Sequence, residues 1–364
     1  MRTAPPFRLG RHTVPFPLIQ GGMGVRVSAG GLAGAVARCG GVGVVATAGI
    51  GFGAGLPRGE RLADANEQAT REEVARAVRI AEGGVVGVNC LVAARWMERV
   101  VPAACDAGAK VILSGAGLPL ALPELTKSHP DVALVPIVSS VRAAQVIARR
   151  WERSHGRLPD AVVVEDPDTA GGHLGARRED IGTGTYDHRG TIRGVRAMFR
   201  EDFGVPVPVV AAGGVWGHDD FWRTLDEGAD AVQMATRFVV TEECDASPEF
   251  KQAYLAARKE DIGLVHSPVG MPGRALVGNI DRIRRYDLDR GFRCSVACLE
   301  QCGWRDHGSE FCIMEALARA QRGDMDTGLV FCGTNAWRAE RIGTVREVFE
   351  EIFGAEACAG AGAR

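Results

Sequence analysis

Residues 207–238 read VPVVAAGGVWGHDDFWRTLDEGADAVQMATRF. The stretch opens on a short β-branched run ending in Gly213-Gly214. It continues through Asp219 to Glu227, where apolar residues recur at three-to-four spacing, then turns at Gly228 into a second apolar run from Ala231. Strand, glycine turn, amphipathic helix, helix-ending glycine and strand make one parallel βαβ unit. Six runs of the same kind precede it, beginning at Pro17 (PLIQGGMG), Val42 (VGVVATAG), Val85 (VVGVNCLV), Lys110 (KVILSGAG), Val132 (VALVPIVSS) and Ala161 (AVVVEDPDTAGG). Eight strands with crossover helices is the closure number of a (β/α)8 TIM barrel, so the fold class is α/β.

The helices expected between the runs include Glu67 to Glu82, Ala94 to Ala107, Val141 to Ser154 and Thr191 to Asp202. After Phe238 the pattern changes. A helix-like stretch from Pro248 to Glu260 leads into VHSPVGMPGRALVGN, which has no strand alternation long enough to join the sheet. The expected organisation is a barrel over residues 1–238, an inserted lid with a cysteine-rich segment over 239–312, and C-terminal helices over 313–364 packing back on the barrel.

Composition narrows the function classes. The 364 residues carry 43 Lys+Arg against 45 Asp+Glu, a net charge of −2, which offers neither a basic field for nucleic acid nor a polybasic membrane anchor. No apolar run has the length of a membrane span, so the protein reads as cytoplasmic. In a reducing compartment the ten cysteines are expected to be thiols or ligands and not disulfides. The sequence leaves the oligomeric state open, a homodimer included.

A barrel of this kind carries its site at the C-terminal ends of the strands. Those ends read Gln20 to Gly24, Asn89, Ser114 to Gly117, Glu165 to Gly175 with Gly171-Gly172-His173-Leu174-Gly175, Ala212-Gly213-Gly214, and Ala235-Thr236-Arg237. The loops after the last two strands are the usual phosphate cradle of the fold. Their glycines fit either that role or tight βα turns alone. A Walker-type loop and a Rossmann fingerprint are both absent, which disfavours ATP and a Rossmann-bound dinucleotide. His173 is the candidate for proton chemistry, because small neighbours let its ring meet a ligand.

The series PLIQGGMG, GVNCL, SGAGLP, Glu165 to Gly175, VPVVAAGGV and ADAVQMATRF resembles the nitronate monooxygenase (2-nitropropane dioxygenase) family of FMN-dependent barrels, relatives of the flavin-dependent enoyl-ACP reductases. The resemblance implies that Gly22 and Met23 lie against the isoalloxazine edge and that Asn89 hydrogen-bonds the flavin. Gln233 would lie beneath the ring, and Gly213, Gly214, Ala235 and Thr236 would bind the phosphate. Glu165, Gly171 and Gly172 complete the cofactor-binding set. His173 matches the family's active-site histidine, which takes a proton from, or hydrogen-bonds to, the substrate. The implied reaction oxidises an alkyl nitronate to a carbonyl compound and nitrite with dioxygen. The alternatives are an NAD(P)H-dependent enoyl reductase and a flavin-binding electron-relay or regulatory protein. Ala235 stands where the family often has Gly, and the tyrosine-bearing motifs of the best-characterised bacterial members are not recognisable, the only tyrosines being Tyr186, Tyr254 and Tyr286.

One feature lies outside that pattern: Cys294-x3-Cys298-x3-Cys302-x9-Cys312. On an unbroken helix the first three would share a face with the outer two about 12 Å apart, too far for one metal. If the chain turns near Gly303 and Gly308, four thiolates could hold zinc or an iron-sulfur cluster, the alternative being free thiols in a lid.

Overall fold

The computed structural model describes residues 2–52, 60–291, 294, 296–308, 310–355 and 357–358. An antiparallel hairpin of β1 (Phe7–Leu9) and β2 (His12–Val14) comes first. Barrel strands follow: β3 (Leu18–Gln20), β4 (Val42–Ala46), β5 (Val85–Leu91), β6 (Val111–Gly115), β7 (Ala133–Val138) and β8 (Val162–Glu165). After the two-residue β9 (Gly172–His173) come the last barrel strands, β10 (Val209–Ala212) and β11 (Ala231–Met234). All eight pair in parallel, and β11 closes on β3 through Gln233 opposite Ile19. Each run that sequence periodicity marks as a barrel strand is one.

Alternation along the strands builds two apolar layers. Val42, Val44, Val111, Leu113, Val135, Val163 and Val210 fill the barrel interior, whose lower end is plugged by Phe7, Leu9 and Val14 of the hairpin. Their outward neighbours, such as Val45, Val86, Ile112, Leu134 and Val209, meet the helices. The helices have local start and stop signals. Ser140 Oγ accepts from Ala143 N at the head of Val141–His155, and Gly156 ends that helix at φ +60°. Asp187 and Gly204 do the same for His188–Phe203.

Beyond β11 the chain makes an excursion. Here β12 (Ile262–His266) and β13 (Pro272–Leu276) form an antiparallel hairpin, and β13 also pairs with β9. The segment VHSPVGMPGRALVGN therefore stays out of the barrel, as its punctuation suggests, yet it does form strands, because the Ser267–Gly270 turn closes them on each other. The excursion leaves and re-enters at one point, where Thr241 bridges Gly343 and Glu242 N donates to Gly343 O at 2.7 Å. Helix Val345–Phe353 then packs against helices Gly30–Arg38 and His218–Asp226, the position an eighth barrel helix would hold.

The expectation of thiols without disulfides is corrected at one pair. Cys39, at the end of the first barrel helix, is bonded to Cys358, which follows the last helix. The other eight cysteines are free. Among the described residues no helix is long and apolar enough to cross a membrane.

Candidate active site

A cavity of about 500 Å³ lies over the C-terminal ends of the barrel strands. That is within the range of about 300–1,000 Å³ typical of small-molecule sites. Its floor follows from strand alternation. In β8, Val163 points into the barrel and Val162 and Val164 point out, so Glu165 is carried inward at the top. The same parity brings Asn89 of β5 and Gln233 of β11 inward. Glu165 and Gln233 both stand opposite the small Ala212, on either side of β10. Three polar side chains thus cap an apolar interior.

The wall beside them is bare backbone. A Cβ on Gly22 would sit 2.4 Å from Asn89 Cβ, and one on Gly21 would touch Ala235 and Gln233. Gln233 Oε1 is buried without a hydrogen-bond partner, an orphan acceptor on the wall of a cavity. Gly22, Met23, Asn89, Glu165, Gly171, Gly172, His173, Gln233, Ala235 and Thr236 line this one space. Gly213 and Gly214 are not among the lining residues. Side chains at either would meet Thr169, and Gly214 O accepts from Asn335 Nδ2 at 2.7 Å.

His173 sits on β9, held opposite Gly273 of β13. Its Nε2 is 2.8 Å from Ser267 Oγ, and its ring meets Phe331 edge-on with centroids 5.0 Å apart. Burial pushes its pKa down to about 4, so the imidazole is neutral at physiological pH. Glu165 moves the other way. Burial, then the neighbouring Asp166, pushes its carboxyl up to about 7 against the opposing pull of Arg274. The buried Arg274 donates to Pro167 O and Ala170 O, tying down the loop that links β8 to His173.

The cover comes from the excursion. Gly333 N donates to Thr236 Oγ1 at 3.0 Å, Thr334 N donates to Thr169 O, and Tyr254 Oη donates to Phe331 O at 2.6 Å. A Cβ on Gly171 would lie 2.4 Å from the backbone of Cys332 and Gly333, so the strap 331–335 rests directly on the glycine loop. Ser267, Tyr254, Phe331 and the strap had no sequence signal of their own, since nothing periodic links them to the strand ends.

The four clustered cysteines sit in an apolar cluster with Leu299, Trp304 and Phe311. Burial, then Cys294 and Cys302, pushes the Cys298 thiol up to about 12, and burial also raises Cys312. A ligand needs a thiolate, which a lowered pKa favours. Among the described residues no group of three or more His, Cys, Asp or Glu could hold a metal ion. Nothing among the described residues thus supports the reading of Cys294, Cys298, Cys302 and Cys312 as zinc or iron-sulfur ligands.

Comparison with known proteins adds to this geometry. A family model described as nitronate monooxygenase matches residues 6–354. A nitronate monooxygenase of Pseudomonas aeruginosa is 27% identical over 201 residues, 50% of this chain and 56% of that protein. A probable nitronate monooxygenase of Staphylococcus saprophyticus is 31% identical over 127 residues, 35% of each chain. These matches span from about a third to just over half of the relatives' length. Among solved structures, FabK from Thermotoga maritima superposes with a TM-score of 0.69 at 24% identity, covering 93% of this chain and 91% of that one. Nitroalkane oxidase from Streptomyces ansochromogenes gives 0.68 at 22%, covering 95% and 97%. At such identities the structural likeness is one of fold.

Proposed function

The chain belongs to the nitronate monooxygenase family, a family of flavin-dependent oxidoreductases, and on that premise we propose that its cavity takes FMN and oxidises alkyl nitronates with dioxygen to carbonyl compounds and nitrite. The observation that carries this reading is the bare Gly21–Gly22 wall between Asn89 and the unpartnered Gln233 Oε1. A flat ring with polar edges fits such a wall, since it needs close backbone approach and hydrogen-bonding groups in its plane. Bound there, the flavin would supply the electron transfer and the reaction with dioxygen.

The chain's own residues would do the rest. Gly22 and Met23 flank the ring, Asn89 and Gln233 hydrogen-bond its edge, and Ala235 and Thr236 take the phosphate. Thr236 Oγ1 already accepts from Gly333 N, which leaves its hydroxyl hydrogen to donate. No Lys or Arg is among the described lining residues, so the phosphate would be held by hydrogen bonds. Gly213 and Gly214 lie outside the described lining, beside Thr169. Val269 N donates weakly to Ser267 Oγ, leaving the Ser267 hydroxyl hydrogen for His173 Nε2. His173 then carries its proton on Nδ1 and offers a neutral donor to the nitro oxygens.

The test is direct. Purified protein should release FMN on denaturation and form nitrite from a preformed nitronate in air. His173→Asn should keep FMN while turnover falls, a positioned proton-transfer or donor group being worth about 10² to 10⁴ in rate. Release of FAD, or NAD(P)H-driven consumption of an enoyl thioester without nitrite formation, would replace this reading with a different flavoenzyme.

A further inference from the structure

Helix Gly30–Arg38 opens without a cap of its own. Ala29 stands at its N-cap with no side chain able to accept, and the first turn holds no acidic residue. The free N–H groups are met instead by Asp245, 213 to 216 positions further along the chain. Asp245 Oδ2 accepts from Ala29 N at 2.9 Å and from Leu32 N at 3.0 Å, and Oδ1 accepts from Gly31 N at 3.1 Å. A carboxylate suits the positive end of a helix. The same residue also holds the segment before the helix. Asp245 N donates to Val27 O at 3.2 Å, and Val27 lines the cavity. Ser28, between these two holds, closes a turn on Met23: Met23 N donates to Ser28 Oγ at 2.8 Å, and Ser28 N donates to Met23 O at 2.9 Å. On its far side Asp245 meets the cover. Gln321 Nε2 donates to Asp245 O at 3.1 Å, and Gln321 ends helix Ile313–Gln321, whose Ile313, Met314 and Leu317 line the cavity. A cap that served its helix alone would need neither the grip on Val27 nor the anchor in the cover.

Resting on the reading above, we propose that Asp245 is a positioning residue for the bound flavin, holding Met23 against the edge of the ring through Ser28 and taking its own position from the cover. It touches neither substrate nor cofactor. The contacts run from Gln321 to Asp245, on to Val27 and Ala29, and through Ser28 to Met23. Each link includes a main-chain group, so a shift of the carboxylate moves the backbone of the loop and not one side chain. Gly22 and Gly24, on either side of Met23, give that loop little stiffness of its own, and an outside hold supplies it. Charge matters here as well as shape. Arg76 Nη1 donates to Asp245 Oδ1 at 3.2 Å, beside Gly31 N. An amide in place of the carboxylate would turn its NH2 toward Arg76 and Gly31 in one orientation, or toward Ala29 and Leu32 in the other. Either orientation sets donor against donor.

The experiment uses flavin-loaded protein and reads the flavin before any substrate is added. Asp245→Asn should shift the visible absorption of the bound flavin, and amides 23–29 should exchange hydrogen faster than in wild type. With preformed nitronate, kcat per bound flavin should fall about 10-fold or more while KM stays within about twofold, a misplacement of about 1 Å being worth up to about 10² in rate. Ser28→Ala breaks the link to Met23 and should shift the spectrum in the same way. The double variant should then lose less in kcat than the product of the two single losses, because both act on one chain of contacts. Asp245→Glu keeps the charge at the helix start with its oxygens displaced, so it should lie between wild type and Asp245→Asn, and it carries the test if Asp245→Asn does not fold. A folded variant at position 245 with the wild-type spectrum and kcat overturns the proposal, because Asp245 then only caps the helix. Fully independent losses in the double variant overturn it as well. A spectral shift in Asp245→Asn when wild type forms no nitrite removes the oxygenase reading and leaves the positioning role standing. Wild type that retains no flavin overturns both.

Discussion

The barrel ring and the excursion over residues 242–343 build their cores in different ways. The ring's interior is assembled from residues two apart within eight similar runs, such as Val42 and Val44 or Val111 and Leu113. The excursion's core gathers single residues from scattered turns and short helices, among them Val265, Ile283, Leu299, Trp304, Phe311 and Ile313. The ring supplies Asn89, Glu165 and Gln233; the excursion supplies Ser267, Phe331 and the strand partner that fixes His173. The difference teaches that the floor of this site is specified locally, whereas its cover depends on contacts distant in sequence.

The strongest test of that division is in the excursion. Arg319 and Asp287 form an ion pair at 3.0 Å, nearly sealed from solvent at 8% and 3% side-chain exposure. Asp287 Oδ2 also accepts from Cys312 N, which ties the pair to the cysteine-bearing segment. Asp287→Ala would leave a buried guanidinium unpaired, at a cost of about 3–5 kcal/mol. Hydrogen exchange should then show protection lost over β12, β13 and the strap while the barrel strands stay protected. Equal loss in both regions would break the comparison by showing a single cooperative unit.

A middle-sized effect is expected where the two regions touch. Gly171→Ala places a Cβ 2.4 Å from the backbone of Cys332 and Gly333, and no rotamer change can move a backbone aside. Overpacking of this kind costs about 1–3 kcal/mol. Flavin retention should suffer more than the melting temperature, because the strap lifts while the ring persists. Unchanged retention would mean that the strap does not help close the cofactor site.

These same contacts explain what the sequence could disclose. All eight strands were legible, because alternation and glycine turns are local. Asn89 and His173 were legible as cavity residues because a barrel puts strand ends at its site, and Gln233 only through the family resemblance. Gly213 and Gly214 read like ligand glycines because a tight turn and a phosphate approach both require a residue without Cβ. The Cys39–Cys358 bond spans 319 positions, and no local rule joins two such cysteines. For the four clustered cysteines the spacing left ligands and free thiols both open, because it does not tell that Cys298, Cys302 and Cys312 are buried in one apolar cluster with Phe311 and Trp304. Glu165 was visible as a strand-end carboxylate, but not the burial that raises its pKa.

The smallest expected effect falls on the ring after the excursion has returned. Thr344 Oγ1 accepts from Glu347 N at 3.1 Å, and Glu347 Oε2 accepts from Thr344 N at 2.8 Å, a reciprocal cap that starts helix Val345–Phe353 directly after the Gly343 junction. This helix packs against helices Gly30–Arg38 and His218–Asp226, and its Phe349 is fully buried among them. Thr344→Ala removes one half of the cap and should destabilise by about 1 kcal/mol. If the ring and the excursion are separate in stability, denaturant melts should show the loss in the barrel transition, with flavin retention and turnover hardly altered. A loss of flavin or of turnover out of proportion to that ~1 kcal/mol would show instead that the cap fixes the excursion's return point. The cover of the site would then be held from the ring side, through the pairing of Thr241 with Gly343.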